Sequence, residues 1–299
     1  MYFDPVKNAL AAGTAVPAFN VPYLPMVEPV VRAVVELDSF ALIETARLEW
    51  TKFEARSAAA VAAEFGRFRA PDHVRLHLDH VPVIDEDDMR VDYLADIREA
   101  ISLGYQSVMV DGSRLPLQEN ITAARQVADL AHAAAIPCEA ELGAILGHEA
   151  GPLPPYEELF ASGKGFTRVD EARRFARETG CDWLSVAIGN IHGAIAAGAR
   201  DKKKIAARLD LDHLQRLHDA LGIPLVLHGG SGIPREYVLE SFKRGIAKIN
   251  IATKIRQAYE QVLQSTGQIT AAQEAVYERT KWLIKDYFEL GGTRPLICP

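Results

Sequence analysis

A histidine followed by a glycine-rich turn, Val226-Leu-His-Gly-Gly-Ser-Gly232, is the most concentrated piece of chemistry in the chain. Apolar and β-branched residues from Ile223 to Leu227 precede it as a buried strand, and a helical pattern from Pro234 to Gly245 follows. His228 thus stands at a strand's C-terminal end. Glycines let backbone N–H groups close on an anion, and a following helix start adds partial positive charge, so the turn suits a phosphate. The imidazole beside it suits a metal. Each signal alone is common in proteins that bind neither, so the question is whether other strands supply partners.

They do, in one register. Predicted strands three to five end in Leu78-Asp79-His80, Val110-Asp111-Gly112-Ser113 and Glu139-Ala140-Glu141. The next three end in Gly189-Asn190-Ile191-His192-Gly193, in His228 and in Asn250. Taken singly, Asp79 reads as a cap, Asp111 as a turn former with Gly112, and Asn250 as a helix cap. Together they form a ring that no fold requires for its stability. The neutral imidazoles of His80, His192 and His228 suit a borderline-soft divalent cation, zinc first, with positions left open for substrate oxygens. Asp111 and Glu141 are placed either as further ligands or to orient the histidines. Asp79 and His80 are neighbours, so in a regular strand they point oppositely. Both face the site only if the strand end turns. His77 shares a face with Asp79 and so has a place inside the fold, whereas His132, His213 and His218 lie on helical patterns as surface residues.

The elements that must position this ring alternate along the chain. Strands are predicted over Ala15–Val21, Phe40–Ile43, Val74–Leu78, Ser107–Val110, Pro137–Leu142, Trp183–Ile188, Ile223–Leu227 and Ile246–Ile251. Helical patterns separate them: Met26–Leu37, Phe53–Phe68, Met89–Leu103, Leu117–Ala135, a helix capped by Asp170 and running to Thr179, Leu211–Leu221 and Arg235–Gly245. A short helix, Pro5–Ala12, comes first, and a helical tail from Thr253 to about Leu290 comes last. Loops from Gly143 to about Phe166 and from the end of the Trp183–Ile188 strand to about Leu209 follow strands. Eight strand–helix repeats without a linker predict a single (β/α)8 barrel over residues 1–299, with 253–299 as a helical extension. Its chemistry belongs at the C-terminal ends of the strands.

Composition narrows the function. The 299 residues are 48% hydrophobic and 24% charged, a globular profile with no low-complexity stretch. The net charge of −7 and the absence of any basic stripe beyond Lys202-Lys203-Lys204 argue against a nucleic-acid partner. Cys138, Cys181 and Cys298 lack metal-ligand spacing and are expected as free thiols of a reducing compartment. No apolar run reaches a membrane span, and residues 1–20 lack the pattern of a secretory leader, so a cytoplasmic location is expected.

These motifs, in this order, resemble the class II, metal-dependent ketose-bisphosphate aldolases, the group of fructose-bisphosphate and tagatose-bisphosphate aldolases. The likeness is carried by Ala18-Phe19-Asn20, Leu76-His77-Leu78-Asp79-His80, Val108-Met109-Val110-Asp111-Gly112-Ser113, Glu119-Asn120 and Glu139-Ala140-Glu141-Leu142-Gly143. It continues through Gly189-Asn190-Ile191-His192-Gly193, His228-Gly229-Gly230-Ser231-Gly232 and Lys248-Ile249-Asn250-Ile251-Ala252-Thr253. The resemblance implies that His80, His192 and His228 hold a catalytic zinc, with Glu141 and Asp111 at an alternative metal position or behind the ligands. It implies a cradle for the C1 phosphate from Gly193, Gly229, Ser231, Asn250, Ala252 and Thr253, with a monovalent cation nearby. Asp79 would exchange a proton with the C4 oxygen, and Glu149 would handle the proton on C3. The implied reaction is reversible cleavage of a phosphorylated ketose to dihydroxyacetone phosphate and an aldehyde, through an ene-diolate stabilised by the metal. A homodimer or homotetramer is implied as well.

The chain departs from that pattern in three places. The loop after strand five reads Leu146-Gly147-His148-Glu149-Ala150, which keeps the glutamate without an acidic neighbour. After strand two, Glu44-Thr45-Ala46-Arg47-Leu48-Glu49-Trp50 puts charge and bulk where the family has a small turn. Those residues read either as a helix start with local ion pairs among Glu44, Arg47 and Glu49, or as a rim where Arg47, Glu49 and Asn20 select the aldehyde half of the substrate. The third is the alanine-rich, basic run Ala194–Lys204. The tail Gly291-Gly292-Thr293-Arg294-Pro295 offers an arginine to the substrate, to a partner subunit, or to neither. Two alternatives stand beside the aldolase: a related aldolase or epimerase of a sugar acid phosphate, and a barrel that binds sugar phosphate without catalysis.

Overall fold

The computed structural model describes residues 2–143, 156–190 and 207–298. Strands β1 (Val16–Asn20), β2 (Ala41–Ala46), β3 (Val74–Pro82), β4 (Ser107–Asp111), β5 (Cys138–Leu142), β6 (Trp183–Val186), β7 (Leu225–Leu227) and β8 (Ile246–Ile251) pair in sequence order. All pairs are parallel, and β8 closes on β1 through Ala18 and Asn250. The fold is therefore a (β/α)8 barrel. Helices α2 (Val27–Glu36), α4 (Ala58–Arg67), α5 (Tyr93–Ser102), α6 (Leu117–Ala133), α8 (Val169–Thr179), α9 (Leu211–Leu221) and α10 (Arg235–Phe242) form the outer layer. Side chains alternate along each strand, so Ile43, Leu76, Leu78, Val108, Val110, Leu184 and Ile249 bury against helix faces such as Val27, Val30, Val31 and Val34 of α2. The intervening residues enter the barrel.

At its N-terminal end the barrel interior is apolar. Val16, Leu42, Trp183 and Val226 form a floor, closed from below by Val6 and Ala9 of α1 (Pro5–Ala11) and by Ile297. The Trp183 Nε1–H donates to Asp4 at 3.0 Å, and the same carboxylate caps α1 by accepting from the Lys7 N–H at 2.9 Å. A buried indole thus keeps its hydrogen bond.

Several boundaries differ from expectation for local reasons. The segment after β2 forms a helical turn, α3 (Arg47–Thr51), so that α4 starts only at Ala58, capped by Ser57, whose Oγ accepts from the Ala60 N–H at 3.1 Å. Asp170 is not the cap of α8. Arg168 holds that position, and Asp170 lies in the first turn, where it pairs with Arg168 at 3.0 Å and faces the positive end of the helix dipole. The second half of the predicted loop 143–166 holds α7 (Tyr156–Ser162), anchored where the Tyr156 hydroxyl accepts from the Arg208 N–H at 2.8 Å. Seven residues are too few to show a helical period.

The tail is broken into pieces. α11 (Thr253–Thr266) ends at Gly267 in the left-handed conformation, and α12 (Ile269–Trp282) packs on α11 and α2. Arg32 meets Glu274 at 2.7 Å, and Lys281 meets Glu36 at 2.7 Å. A π-helical turn (Leu283–Tyr287) and α13 (Arg294–Ile297) complete the chain, and the Gly292 N–H donates to the Leu37 carbonyl. Arg294 pairs with Asp38 at 2.5 Å, just before β2. The arginine therefore sits at the barrel's N-terminal end, away from the strand ends that carry the chemistry. Cys138, Cys181 and Cys298 are free thiols. Among the described residues no helix is long and apolar enough to cross a membrane.

Candidate active site

Above the apolar floor the barrel interior turns polar, and the change is set by one alternation step along each strand. Two residues above Leu42 on β2 comes Glu44, and two above Ser107 on β4 comes Met109 and then Asp111. His77 and Asp79 rise on β3, Glu139 and Glu141 on β5, Ser185 on β6, His228 after β7, and Lys248 and Asn250 on β8. All but Asp111 are fully or almost fully buried.

The end of β3 settles whether Asp79 and His80 face the same way. Leu78 pairs with Val108, yet Val81 pairs with Val110, so β3 carries one extra residue against β4. His80 takes up this bulge with φ +36°, a left-handed conformation that costs a non-glycine residue about 1–2 kcal/mol. The bulge cancels the alternation. Both side chains reach the same centre. Asp79 accepts from the Asn20 Nδ2 at 2.9 Å and from the Asn250 Nδ2 at 3.0 Å. His80 Nε2 lies 2.6 Å from His228 Nδ1, and its Nδ1 lies 3.3 Å from Asp111 and 4.0 Å from Glu141.

Asp111 is fixed in turn. Its Oδ1 accepts from the Ser113 N–H at 2.9 Å and the Ser113 hydroxyl at 2.6 Å. Gly112 is required beside it, because a Cβ there would stand 2.2 Å from Asn120 Oδ1, and Asn120 is held by donating to the Glu141 carbonyl at 3.0 Å. Glu141 accepts from Ser185 Oγ at 3.1 Å. Ligand atoms of Asp79, His80 and His228 lie within 4.8 Å of one another, as do those of His80, Asp111 and Glu141. One imidazole belongs to both groups.

The electrostatics follow from crowding carboxylates in a dry space. Burial opposes charge on Asp111, but its bonds to His80 and Ser113 outweigh this and hold its carboxyl below the usual range. Burial and the neighbouring Asp111 charge push Glu141 well up. Burial also works against a charged His80, yet Asp79, Asp111 and Glu141 carry its pKa up to about 10. Burial and the facing His80 keep His228 down. The cluster is short of positive charge: among the described residues, no lysine or arginine pairs with Asp79, Asp111 or Glu141.

One layer deeper lie residues whose role the sequence reading misses. Lys248 Nζ meets Glu139 at 2.8 Å, Glu44 at 3.3 Å and His77 Nε2 at 3.5 Å, all of them out of contact with water. His77 Nδ1 bonds Ser107 at 2.8 Å, and Glu139 Oε1 reaches His228 Nε2 at 2.8 Å. Their signal was present: Glu139 lies two residues before Glu141 and Lys248 two before Asn250, on the same strand faces.

The remaining expectations divide. Gly229 takes φ +72° and leads into a 3₁₀ turn (Gly230–Gly232) after β7. A Cβ on Gly230 would stand 2.7 Å from the Ile249 side chain, so only glycine lets the turn lie against β8. Of Ser231 only the backbone is described. Ala252 caps α11 and Thr253 is its first residue, directly after β8. Asn190 staples the ends of β6 and β7, donating to the His228 carbonyl at 3.1 Å while its Oδ1 accepts from the Ile188 N–H. The rim residues after β2 do not pair locally. Arg47 meets Asp85 at 3.5 Å and Asp96 at 3.4 Å, Glu44 faces Lys248, and Glu49 accepts from the Ala46 N–H at 2.9 Å. Glu149, His192, Gly193 and the run 194–204 lie outside the described residues.

A closed parallel barrel whose C-terminal rim converges imidazoles and carboxylates on one cation-deficient point defines an enzyme of the metal-dependent barrel class. The chain belongs to the class-II fructose-bisphosphate aldolases: the sequence model of that family, "Fructose-bisphosphate aldolase class-II", matches residues 3–290. It is an aldolase, and so a lyase. A curated relative, the fructose-bisphosphate aldolase of Streptococcus pneumoniae serotype 4, is 36% identical over 296 residues, covering 97% of this chain and 91% of that one. Among solved structures, the YdjI aldolase of Escherichia coli K12 has a TM-score of 0.73 at 27% identity, and a putative fructose-1,6-biphosphate aldolase of Coccidioides immitis 0.76 at 26%. In both cases the match covers 97% of this chain and 96% of the other.

Proposed function

We propose that the protein is a zinc-dependent aldolase that reversibly cleaves a phosphorylated ketose, of the ketose 1,6-bisphosphate type, to dihydroxyacetone phosphate and an aldehyde. One observation carries the metal: His80 Nε2 and His228 Nδ1 face each other at 2.6 Å while the far nitrogen of each ring bonds a carboxylate, Asp111 and Glu139 respectively. Carboxylates only accept, so each far nitrogen carries a proton and the two facing nitrogens share at most one between them; a cation that takes the place of that proton meets two lone pairs at one spot. Such a donor set suits a borderline-soft divalent ion, with His192 as the third imidazole and Asp111 and Glu141 as nearby oxygens. Zinc supplies Lewis-acid stabilisation of the charge that develops on the ene-diolate half of the substrate.

The chain's own residues do the rest. Asp79, held by two asparagine amides, stands within reach of a C4 hydroxyl to take its proton on cleavage and return one on condensation. Burial opposes its charge, but His80, His228 and Lys248 outweigh burial and keep it ionised, as a base must be. Glu149 serves the proton on C3. The C1 phosphate sits on the Gly229–Ser231 turn and the start of α11 at Ala252 and Thr253, with Gly193 and Asn250 completing the cradle and a monovalent cation beside it. The aldehyde half meets the rim of β1 and β2, where Asn20 contacts it through Asp79 while Arg47 and Glu49 hold α3 in place. A cytoplasmic homodimer or homotetramer completes this reading.

The test is an aldol-cleavage assay with coupled detection of dihydroxyacetone phosphate, on fructose and tagatose bisphosphates and on phosphorylated deoxy sugar acids, with and without chelator. Release that chelator abolishes and zinc restores is expected. Zinc-loaded protein inactive on the bisphosphates but active on a sugar acid phosphate would move the assignment to that class. Inactivity on all of them would leave a binding barrel.

A further inference from the structure

The search beyond the catalytic ring leads to a buried ion pair that the reaction itself does not use. Glu139 and Lys248 lie in the sealed interior beneath the metal site, fully out of contact with water, with their charged atoms 2.8 Å apart. A buried pair of this kind contributes little net stability over an apolar pair of equal volume, so its presence calls for another reason. Glu139 divides its two oxygens. Oε2 accepts from Lys248 Nζ, and Oε1 meets His228 Nε2 at 2.8 Å.

We propose that Glu139, oriented by Lys248, is a positioning residue that locks His228 into the tautomer with Nε2 protonated and Nδ1 directed toward the metal. The geometry leaves one arrangement. A carboxylate bonded to an ammonium can only accept on its other oxygen, so the His228 Nε2 must donate. A neutral imidazole then has its lone pair on Nδ1, the nitrogen 2.6 Å from His80 Nε2. Without Glu139, the ring is free to protonate Nδ1 instead and turn a donor, not an acceptor, toward the ion. Lys248 matters because its ammonium engages Oε2, which fixes the carboxylate plane and leaves Oε1 to face the ring. The ammonium also lies 3.3 Å from Glu44 on β2. The proposal deepens the metal-site reading above and rests on it.

The experiment uses the full-length protein with ¹⁵N-labelled histidine, loaded with zinc, and reads the long-range proton–nitrogen correlation of the His228 ring, assigned by its loss in His228→Gln. The expected pattern is a protonated Nε2 and a metal-bound Nδ1. The same spectrum with zinc on Nε2 would overturn the proposal while leaving the metal site standing. Wild-type protein that takes up no zinc would remove the metal-site reading and the proposal with it. In Glu139→Gln the carboxamide must turn its NH₂ toward either Lys248 or His228, so zinc affinity by chelator competition is expected to fall about 10–100-fold, with a mixture of His228 tautomers. Unchanged affinity with an unchanged tautomer in that variant would also overturn the proposal. Should Glu139→Gln fail to fold, the wild-type spectrum still decides.

Discussion

The barrel contains two polar layers that solve the same electrostatic problem differently. In the deeper layer, Glu139 is neutralised by Lys248, a cation supplied by the chain itself, and Glu44, 3.3 Å from the same ammonium, is pushed well up by burial and the Asp79 charge, so that it holds its proton. In the upper layer, Asp79, Asp111 and Glu141 meet asparagine amides, serine hydroxyls and imidazoles but, among the described residues, pair with no lysine or arginine. Burying a carboxylate without compensation is so costly that the group would protonate instead. The deeper layer is therefore complete as folded and belongs to the structure. In the proposed reading the upper layer is completed by the cation it binds. Strands β3, β4, β5 and β8 contribute to both, and β8 carries the difference in cations: the chain places Lys248 below and Asn250 two positions above it.

The comparison is tested most severely by removing the internal cation. Lys248→Met leaves two buried carboxyls facing each other and is expected to destabilise the protein by about 3–5 kcal/mol in urea unfolding. Adding Glu44→Gln should recover part of the loss, since one of the two orphaned carboxyls is then gone. A loss below about 1 kcal/mol for Lys248→Met would mean that the two layers do not differ as argued. In the upper layer the expected effect is on rate instead. Asp79→Asn keeps the shape and some of the bonds to Asn20 and Asn250 but removes the carboxylate proposed as the base, so kcat should fall about 10²–10⁴-fold while zinc content stays at the wild-type level. Loss of zinc with loss of rate would make Asp79 a ligand.

The sequence reading reached the fold through alternation alone, because eight strands with apolar outward faces and helices at regular intervals admit few other arrangements. It reached the upper ring because histidines and carboxylates at strand ends are unusual. It left open the orientation of Asp79 and His80, since a bulge is a property of the pairing between β3 and β4 and His80 is not a residue that announces a left-handed backbone. The deeper layer went unassigned for another reason. Glu139 and Lys248 share strand faces with Glu141 and Asn250, but a reading centred on rim residues stops one step too high. Arg294 illustrates the opposite limit: nothing local in Gly291–Pro295 says which end of the barrel the tail will meet, and the partner that decides it, Asp38, lies 256 residues away.

A third treatment of buried carboxylates appears at the rim. Glu49 is buried beside the Asp79 charge with neither lysine nor metal donor at hand, and burial pushes its pKa up to about 8 although the Ala46 N–H pulls the other way. Here a proton takes the place of the cation. The sign of the consequence follows directly. Between pH 4.5, where the unfolded glutamate has begun to ionise, and pH 8, the folded chain holds a proton that the unfolded chain has released, so stability falls as pH rises through that window. The contribution is on the order of 3 kcal/mol. Glu49→Gln removes the ionisation, and its unfolding midpoint should gain on the wild type as pH rises from 5 to 8. A gap that stays constant across that range would show that Glu49 is ionised as folded.

The smallest effect belongs where charge is cheap. Arg47 spans Asp85 and Asp96 at 3.5 and 3.4 Å, with all three side chains partly in water. Pairs of this kind contribute about 0–1 kcal/mol, so Arg47→Ala should barely move the unfolding midpoint. Its use as a test is chemical. Arg47 joins α3 to the segment after β3 and to α5, and α3 borders the place where the aldehyde half of the substrate is assigned. If Arg47 only holds that border, Arg47→Ala should loosen selection among ketose substrates through KM, with kcat for the preferred one kept. A fall of more than about tenfold in kcat at unchanged stability would instead put the guanidinium on the substrate, because a group that acts only by bracing a rim has no interaction that strengthens in the transition state.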